Sequence, residues 1–342
     1  MRENQAKTSE VRKFTGGRVK SDAPLVSIII PAYNIAGFAA ETLDSVRAQA
    51  FRDFETIVIN DGSPDNVEFE AALAPYLDEI VYLKQENTGA GAARNAAIAH
   101  ARGELLAFLD GDDVWTPGYL GSQVDFLQSG GFDMVYCDAL MFGMPGVEGR
   151  RFMESAPSDG EVTVDSILDF SCNVITSGTV ARRQAVVEAG MFEWEKVRAH
   201  DFHLWLRMLK NGARIGYQRK VLLKYRVHLD SLSGNSVQRV QREIDVFNRV
   251  RNTIGLDDVQ QEIVERQIAG LEADKEVEQG KSFLLGGDFS SARLAFEKAN
   301  RHRKSFRLRV IISLMGVAPR LLLKFYRSRR AAEIAFVPNS ER

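Results

Sequence analysis

Short apolar runs recur along the first half of the chain, and segments with helical spacing of apolar residues separate them. Four of these runs have the length and composition of strands that are buried on both faces. They are residues 26–30, 54–59, 80–83 and 105–109. Residues 36–49, between the first two runs, carry apolar side chains at helical spacing. Strands that alternate with helices predict an α/β fold with a doubly wound, parallel sheet.

The second half of the chain changes from a mixed pattern to a helical one. Strands are predicted at residues 133–138 and 175–181, and short helices at residues 162–170 and 182–189. Residues 200–209 place apolar side chains at helical spacing, and Asn211-Gly212 ends that helix. From about residue 236 the sequence is charged and amphipathic, so we expect an α-helical extension after the sheet.

Three carboxylates stand directly after the apolar run 105–109. They are Asp110, Asp112 and Asp113. In open α/β sheets, ligands bind at the carboxyl ends of the parallel strands, which is where these acids are predicted to lie. Carboxylates this close repel one another, and a divalent cation that holds a diphosphate relieves that repulsion; the alternative is an Asp-rich surface turn. Thr116 and Pro117 are then predicted to cap and begin the next helix.

Two further features of the first half bear on binding. Asp61 follows the run 54–59, so it is predicted at the same sheet edge, where it either accepts hydrogen bonds from a nucleoside or forms a turn. Residues 89–91, Gly-Ala-Gly, open a helix that is predicted to end at Gly103. Arg94 on this helix either reaches an anion or is solvated. The spacing is neither a Rossmann fingerprint nor a P-loop.

Composition excludes several other classes of protein. The chain has 342 residues, a hydrophobic fraction of 45% and a net charge of -2, which suits a globular protein and not a nucleic-acid binder. Cys137 and Cys172, the only cysteines, lack the spacing of a zinc site. No segment is long and apolar enough to span a bilayer, and the polar residues 1–22 are not a signal peptide.

Four segments together carry a resemblance to a known family. They are VSIIIPAYN at residues 26–34, TIVINDGSPD at 56–65, NTGAGAARN at 87–95 and FLDGDDVWTP at 108–117. In this order and spacing, they resemble the nucleotide-sugar half of glycosyltransferase family 2, over about the first two-thirds of the chain. The resemblance implies a GT-A-type fold, with a doubly wound, mixed, mainly parallel sheet flanked by helices. It also implies an inverting enzyme that uses a nucleoside-diphosphate sugar, with UDP as the expected carrier.

The resemblance also implies roles for individual residues. Asp201, which as a helix N-cap would need no catalytic role, would be the catalytic base. Asp112, together with Asp110 and His228, would bind Mn²⁺ or Mg²⁺. The donor would contact Pro31, Tyr33, Asn34, Asp61, Arg94, Asp110 and Arg226. Two positions depart from the family pattern: Asn60 stands where an Asp is frequent, and His200 where a Glu precedes the base.

The C-terminal part is predicted to contact a membrane. We expect a disordered leader at 1–23, a catalytic domain at 24–235, a helical extension at 236–300 and a basic amphipathic tail at 301–342. Residues 301–330 hold ten Lys or Arg and no acid. Such a segment either lies on an anionic membrane or packs on the catalytic domain; we favour the membrane, because many family members act on lipid-linked glycans. The expected location is the cytoplasm, at the cytoplasmic face of that membrane.

Two alternatives to this glycosyltransferase remain open. A sugar-1-phosphate nucleotidyltransferase would carry a Gly-rich, basic phosphate loop after the first strand, whereas residues 31–34 read Pro-Ala-Tyr-Asn. A catalytically lapsed nucleotide-sugar-binding or scaffold protein is favoured by His200, but Asp112 and Asp201 argue against it. The acceptor, a glycan or a lipid-linked sugar, is expected to be selected by the loop at 143–159 and the region around His200.

Overall fold

The computed structural model describes residues 11–19, 22–194, 200–228 and 236–335. The chain divides into two compact units, Met1–His228 and Leu229–Arg342. The first contains the sheet and the second is helical, and each is described by itself.

Within the residues that the structure describes, the first unit is built on a mixed nine-stranded sheet. Its strands are β1 Arg12–Thr15, β2 Val26–Ala32, β3 Phe54–Asp61, β4 Ile80–Gln85, β5 Leu105–Phe108, β6 Val114–Trp115, β7 Met134–Phe142, β8 Thr179–Arg182 and β9 Ile215–Arg226. Their spatial order is β1-β4-β3-β2-β5-β8-β7-β9-β6. The neighbours β4, β3, β2 and β5 run parallel, as do β7 and β9. This sheet confirms the predicted fold class.

Helices cover both faces of this sheet because its central strands are apolar on both faces. The helices are α1 Ala36–Arg47, α2 Asn66–Leu73, α3 Ala90–His100, α4 Tyr119–Gly130, α5 Val164–Leu168, α6 Arg183–Glu188 and α7 His200–Lys210. Ile28, Ile29 and Ile30 are consecutive on β2 and all almost fully buried. Side chains alternate between the faces of a strand, so such a run needs cover on each side.

The parallel strands bring several chain turns to one edge of the sheet. Ala32 at the end of β2 pairs with Asn60 near the end of β3, and Asp61 pairs with Gln85 at the end of β4. Strand β5 lies next to β2 in the same direction. The segments that follow these strands therefore meet at their carboxyl ends, where the site is built.

The expected disorder of the leader is wrong at Arg12–Thr15. These residues form β1, which pairs antiparallel with β4, with Phe14 opposite Tyr82. All four side chains of β1 are exposed, so backbone pairing with a sheet edge orders the strand. Backbone pairing of this kind requires no buried side chains, so the hydrophobic pattern of the sequence does not predict this strand. The rest of the predicted leader includes residues 1–10 and 20–21, which lie outside the described residues.

Gly103 does not cap α3, contrary to prediction. The helix ends at His100, and Ala101 after it is already extended. Gly103 instead allows a close approach to β2, because a Cβ on it would lie 2.6 Å from the backbone nitrogen of Ser27. The Ser27 hydroxyl also accepts a hydrogen bond from the Gly103 amide at 2.8 Å. The contact that requires this glycine is therefore tertiary.

Helix α4 begins two residues later than the Thr-Pro signal predicted. It starts at Tyr119, and the amide of Tyr119 donates to the Thr116 carbonyl at 3.0 Å. The Thr116 amide donates to the Leu222 carbonyl at 2.9 Å. Thr116 is thus held next to β9, and Thr116-Pro117 forms a turn before the helix instead of its cap.

The second unit consists of helices around a small apolar core of its own. The helices are α8 Ser236–Thr253, α9 Asp258–Gly286, α10 Phe289–Arg303, α11 Phe306–Val317 and α12 Pro319–Ala335. Leu284, Phe296 and Met315 lie in the core that joins α9, α10 and α11. Gly287, with φ of +82°, ends α9, and Asp288 caps α10. Within the described residues, every helix is too short or too polar to cross a membrane.

Candidate active site

Residues 110–113, which follow β5, are called the Asp-rich turn, and α1 holds this turn in place through Thr42. Thr42 is fully buried, and its hydroxyl lies 3.0 Å from the Gly111 carbonyl and 2.8 Å from the Asp113 carbonyl. Asp113 is itself buried, and its Oδ1 accepts a hydrogen bond from the Arg226 amide on β9 at 2.8 Å. The turn is therefore clamped between a helix and a strand, which aims the carboxylates of Asp110 and Asp112 at the sheet edge.

Asp110 forms an ion pair with Arg94. Arg94 lies on α3 and is buried, and its guanidinium contacts Asp110 Oδ1. The guanidinium also lies 5.5 Å from the centroid of the Phe192 ring. A buried arginine needs an anionic partner, and Asp110 supplies one here. The structure thus brings together two residues that the sequence analysis assigned to the donor.

Asp112 lies beside His228. Its Oδ2 is 3.1 Å from His228 Nε2, although 116 residues separate the two in the chain. Burial raises the pKa of Asp112, the charge of Asp110 raises it further, and His228 opposes both effects. Burial and the charges of Asp112 and Asp110 likewise hold the pKa of Asp113 well above its usual range. The carboxylates of Asp110, Asp112 and Asp113 therefore repel one another within the turn.

Asp112 and His228 are the groups that fit a divalent cation best. Within the described part of the chain, no three His, Cys, Asp or Glu side chains are arranged to hold a metal ion. Asp110, predicted as a third ligand, contacts Arg94 instead. A carboxylate and an imidazole nitrogen suit Mn²⁺, and for Mg²⁺ a single carboxylate with substrate phosphates and waters suffices. A cation bound here would relieve the repulsion between the carboxylates of the turn.

Arg226 holds the turn in place through its whole side chain. Its Nε donates to the Asp112 carbonyl at 2.7 Å, and its terminal nitrogen contacts Glu41. The guanidinium lies between two aromatic rings, 4.7 Å from the centroid of Phe38 and 4.3 Å from that of Phe142. Glu41, Phe38 and Phe142 have no distinctive spacing in the sequence, so the sequence analysis missed this cluster.

Asp61 organises the chain that leads into α3. It is buried, and its Oδ1 accepts hydrogen bonds from Gln85 Nε2 and the Thr88 amide, both at 2.8 Å. Its Oδ2 accepts from the Gly89 amide at 2.8 Å. Asn60 beside it is buried too, and its Oδ1 accepts from the Ser63 amide at 2.9 Å. The carboxylate predicted to contact the nucleoside thus also shapes the loop at 88–89.

The turn after β2 presents an aromatic side chain at the same edge. Tyr33 is 51% exposed, and Pro31 before it is half-buried. Asn34 has φ of +56°, and its amide donates to Ser63 Oγ at 2.7 Å. This bond ties the turn after β2 to the turn after β3, and the Tyr33 ring remains accessible for stacking on a flat ligand.

Asp201 lies in the first turn of α7 and is oriented by two donors. Its Oδ2 accepts a hydrogen bond from Thr176 Oγ1 at 2.6 Å, and its Oδ1 accepts one from the Phe202 amide at 2.8 Å. Thr176 belongs to a 3-10 turn, Thr176–Gly178, where the sequence pattern predicted a strand. The neighbouring Ser177 Oγ accepts from the Asp110 amide at 3.1 Å. One short turn therefore connects Asp201 to the Asp-rich turn.

Tyr225 lies on β9, directly before Arg226. Its pKa is raised, mainly by burial and then by the negative charges of Asp113, Asp110, Asp112 and Asp201. No motif in the sequence marks Tyr225.

The adjacent residues Thr176 and Ser177 thus link Asp201 to the Asp-rich turn. His200, which precedes Asp201, is the first residue of α7, and its side chain lies outside the described structure.

The chain is similar to known proteins in both sequence and fold. The family model described as Glycosyl transferase family 2 matches residues 27–190. RP339 of Rickettsia prowazekii (strain Madrid E), an uncharacterized glycosyltransferase, is 29% identical over 236 residues, which cover 66% of this chain and 71% of that protein. TuaG of Bacillus subtilis (strain 168), a putative teichuronic acid biosynthesis glycosyltransferase, is 28% identical over 66% of this chain and 88% of its own length.

An enzyme with a named reaction is among the relatives. WfgD of Escherichia coli, a UDP-Glc:alpha-D-GlcNAc-diphosphoundecaprenol beta-1,3-glucosyltransferase, is 29% identical over 66% of this chain and 86% of its own length. Other relatives are longer: the match spans 30% and 34% of glycosyltransferases from Rickettsia bellii and Rickettsia felis.

Two solved structures share the fold. TarS 1-349 of S. aureus in complex with UDP-GlcNAc aligns with a TM-score of 0.56 and 17% identity, covering 82% of this chain and 92% of that one. The mannosyltransferase PcManGT from Pyrobaculum calidifontis, in complex with GDP-Man and Mn²⁺, aligns with a TM-score of 0.59 and 18% identity over 94% and 90%. At these identities the likeness concerns the fold alone, which is the GT-A fold that the sequence resemblance implied.

Proposed function

Because this chain belongs to glycosyl transferase family 2, we propose that it is an inverting glycosyltransferase. It moves a sugar from a nucleoside-diphosphate sugar, with UDP as the carrier, to a hydroxyl of a glycan or lipid-linked acceptor. The observation that carries this proposal is the turn at Thr176–Gly178, which hydrogen-bonds Asp201 on one side and the Asp-rich turn on the other. A proton acceptor and a diphosphate site on one scaffold are what a direct displacement requires.

The donor is held at the carboxyl ends of β2, β3 and β5. Tyr33 supplies an exposed ring for the base, and Asp61 supports the loop that surrounds it. Arg94, paired with Asp110, places a positive charge below the diphosphate. Asp112 and His228 would hold a divalent cation, which would supply positive charge for the departing nucleoside diphosphate. UDP as the carrier is supported by WfgD, a UDP-Glc-dependent glucosyltransferase, and by TarS, which was solved in complex with UDP-GlcNAc.

Asp201 acts as the general base on the acceptor side. Thr176 and the Phe202 amide each donate to one of its oxygens, so the carboxylate has a defined orientation. The acceptor hydroxyl approaches this carboxylate, gives up its proton and attacks the anomeric carbon from the face opposite the leaving group. A single displacement of this kind inverts the anomeric configuration.

Asp201→Asn is the variant that tests this assignment. Asn has the shape of Asp and still presents polar atoms to Thr176 and the Phe202 amide, so the melting temperature should change little. It takes no proton, so turnover should fall by roughly a hundredfold or more, whereas nucleotide binding stays unchanged. Asp165→Asn, in the first turn of α5, is the matched control. Near-normal turnover of the Asp201 variant, or a product that retains the donor configuration by NMR, contradicts the proposal.

The two alternative functions differ from this one in their products. A nucleotidyltransferase would release pyrophosphate from a nucleoside triphosphate and a sugar phosphate. A lapsed enzyme would bind the nucleotide sugar without turnover. A thermal-shift screen of UDP-glucose, UDP-N-acetylglucosamine and GDP-mannose with Mn²⁺ selects the donor. Release of nucleoside diphosphate with a panel of acceptors then separates the three functions.

We further propose that α11 and α12 bind an anionic membrane surface, a proposal that rests on their exposed apolar side chains. These side chains are Phe306, Val310, Leu314, Val317, Leu321 and Phe325. They recur every three or four residues, and they make up six of the fifteen large apolar residues that are exposed in the described part of the chain. Leu308 and Met315 of α11 pack instead in the core of the second unit. The exposed side chains therefore form one accessible row on α11 and another on α12, and the two rows together are called the stripe.

The positive charge of residues 301–330 favours an anionic membrane surface. Residues 301–330 hold ten Lys or Arg and no acid. Apolar side chains flanked by basic ones are typical of helices that lie in the interface of an anionic bilayer. Such a location would keep the active site near a lipid-linked acceptor, the kind of acceptor named for WfgD.

A further inference from the structure

A small cavity is lined in part by Asp201. Its volume is about 120 Å³, and its walls include Phe152, Phe170, Asn173, Asp201 and Phe202. Asp201 is the one carboxylate among the described residues that line it. The cavity is much smaller than the roughly 300 Å³ at the lower end for drug-sized ligands, so it suits part of one ring and not a long chain.

Phe170 is the unusual residue of this cavity. Its φ is +62°, in the left-handed region, where it follows the C-terminus of the short helix α5. Glycine is the usual residue at such a position, because a side chain there is strained. Asn173 holds this backbone, since its Nδ2 donates to the Phe170 carbonyl at 2.9 Å and to the Pro157 carbonyl at 2.7 Å. Strain of this kind persists where a function needs the side chain.

This arrangement leaves Phe170 partly exposed, at 43%. Its ring centroid lies 6.0 Å from that of Phe202, which directly follows Asp201 in α7. An exposed aromatic face therefore stands next to the carboxylate that we assign as the base. Core packing explains neither the exposure nor the left-handed backbone.

We propose that Phe170 is a platform on which a sugar ring of the acceptor stacks. The C–H groups on one face of a pyranose carry partial positive charge and pack well against the negative face of an aromatic ring. A sugar held there brings one of its hydroxyls to Asp201, which lines the same cavity. This inference rests on the proposed function, and it names a carbohydrate, not a lipid chain, as the part of the acceptor that the site recognises.

Three substitutions at Phe170 distinguish three roles of its side chain: stacking on a sugar, filling apolar space and straining the backbone. Phe170→Tyr keeps the aromatic face, whereas Phe170→Leu keeps only the apolar volume. Phe170→Gly removes the ring and relieves the left-handed backbone, so its melting temperature should rise. Phe283→Leu is the matched control, because Phe283 on α9 is also exposed, at 41%.

Binding of methyl glycosides of N-acetylglucosamine, glucose and galactose, followed by saturation-transfer NMR, provides the main measurement. We expect the ring protons of at least one glycoside to be saturated by the unmodified protein, the Tyr variant and the Phe283→Leu control. The Leu and Gly variants should bind that glycoside about tenfold more weakly. Unchanged binding by Phe170→Leu overturns the stacking and leaves an apolar pocket that suits a lipid chain. Failure of every glycoside to bind the unmodified protein also overturns it.

The donor side is measured separately on the same variants. Stabilisation by UDP and by GDP with Mn²⁺ should be equal in all of them, because Phe170 does not line the nucleotide edge. If neither nucleotide stabilises the unmodified protein, the proposed function fails whatever the glycosides do. If the nucleotides bind but the variants do not differ in glycoside binding as expected, only the proposal that Phe170 stacks on a sugar is wrong. A melting temperature that falls in Phe170→Gly contradicts the strain argument.

Discussion

Asp112 is the residue at which an added cation should have the largest effect. Burial and the charge of Asp110 raise its pKa, and His228 Nε2 lies 3.1 Å from its Oδ2. We expect Mn²⁺ with UDP to raise the melting temperature of the unmodified protein, and this effect should vanish in Asp112→Asn and weaken in His228→Gln. Asp125→Asn, an exposed acid on α4, should behave like the unmodified protein. Full nucleotide binding and turnover in EDTA would show that no cation acts here.

Asp113 should make the metal-free protein less stable as the pH rises. Its folded pKa lies above the ordinary value of 3.8, because the residue is buried beside two other acids. Its contribution to stability is therefore present below that value and is lost as the pH rises through the folded pKa. In EDTA, Asp113→Asn should have a flatter dependence of melting temperature on pH above about 4 than the unmodified protein. An equal slope in both proteins contradicts this prediction, and Asp125→Asn serves as the control.

At the scale of elements, the turn at Thr176–Gly178 decides how the site is assembled. Thr176→Val removes the hydroxyl that donates to Asp201, so the carboxylate loses its orientation and a bond to its charged form. We expect kcat to fall by about tenfold and the acidic limb of the pH–rate profile to move to higher pH. Thr176→Ser keeps the hydroxyl and should restore both. If Thr176→Val loses activity without a change in the profile, or if Ser does not rescue, the turn is merely structural.

At the scale of the whole molecule, the stripe on α11 and α12 should govern membrane binding. Membrane binding should be tested on the full chain and not on a chain truncated before α11. Leu308 and Met315 contribute to the core of the second unit, so truncation would expose that core. Vesicles with anionic lipid should bind the protein at low salt and release it at high salt, since the attraction between charges is screened. Neutral vesicles should bind it weakly.

A triple variant, Phe306→Ser with Val317→Ser and Leu321→Ser, should lose vesicle binding and keep nucleotide binding. Leu294→Ser, which changes an exposed residue outside the stripe, is the control, because its side chain is 52% exposed. If the unmodified protein ignores anionic vesicles at low salt, the basic segment contacts something else.

Much of the fold was predictable because it depends on local patterns. The four runs that became β2 to β5 are apolar at consecutive positions, and only strands covered on both faces use such runs. Parallel strands end at the same sheet edge, so Asp61 and Asp110 were expected there before any contact was known. The prediction of disorder failed at β1, which has no buried side chain. This strand forms through its backbone hydrogen bonds to β4, and these leave no pattern in the sequence.

The sequence by itself determined which side chains carry charge and which strand ends present them. It did not determine which of those charges meet each other. The pairs Asp110 with Arg94, Asp112 with His228 and Asp201 with Thr176 join residues that are 16, 116 and 25 positions apart. Such contacts depend on how strands and helices pack, because a hydrogen bond needs its atoms within about 3 Å whatever their separation in the chain. Only the tertiary structure therefore decided that Asp110 contacts an arginine, that Arg226 clamps a turn and that Phe170 stands exposed beside Asp201.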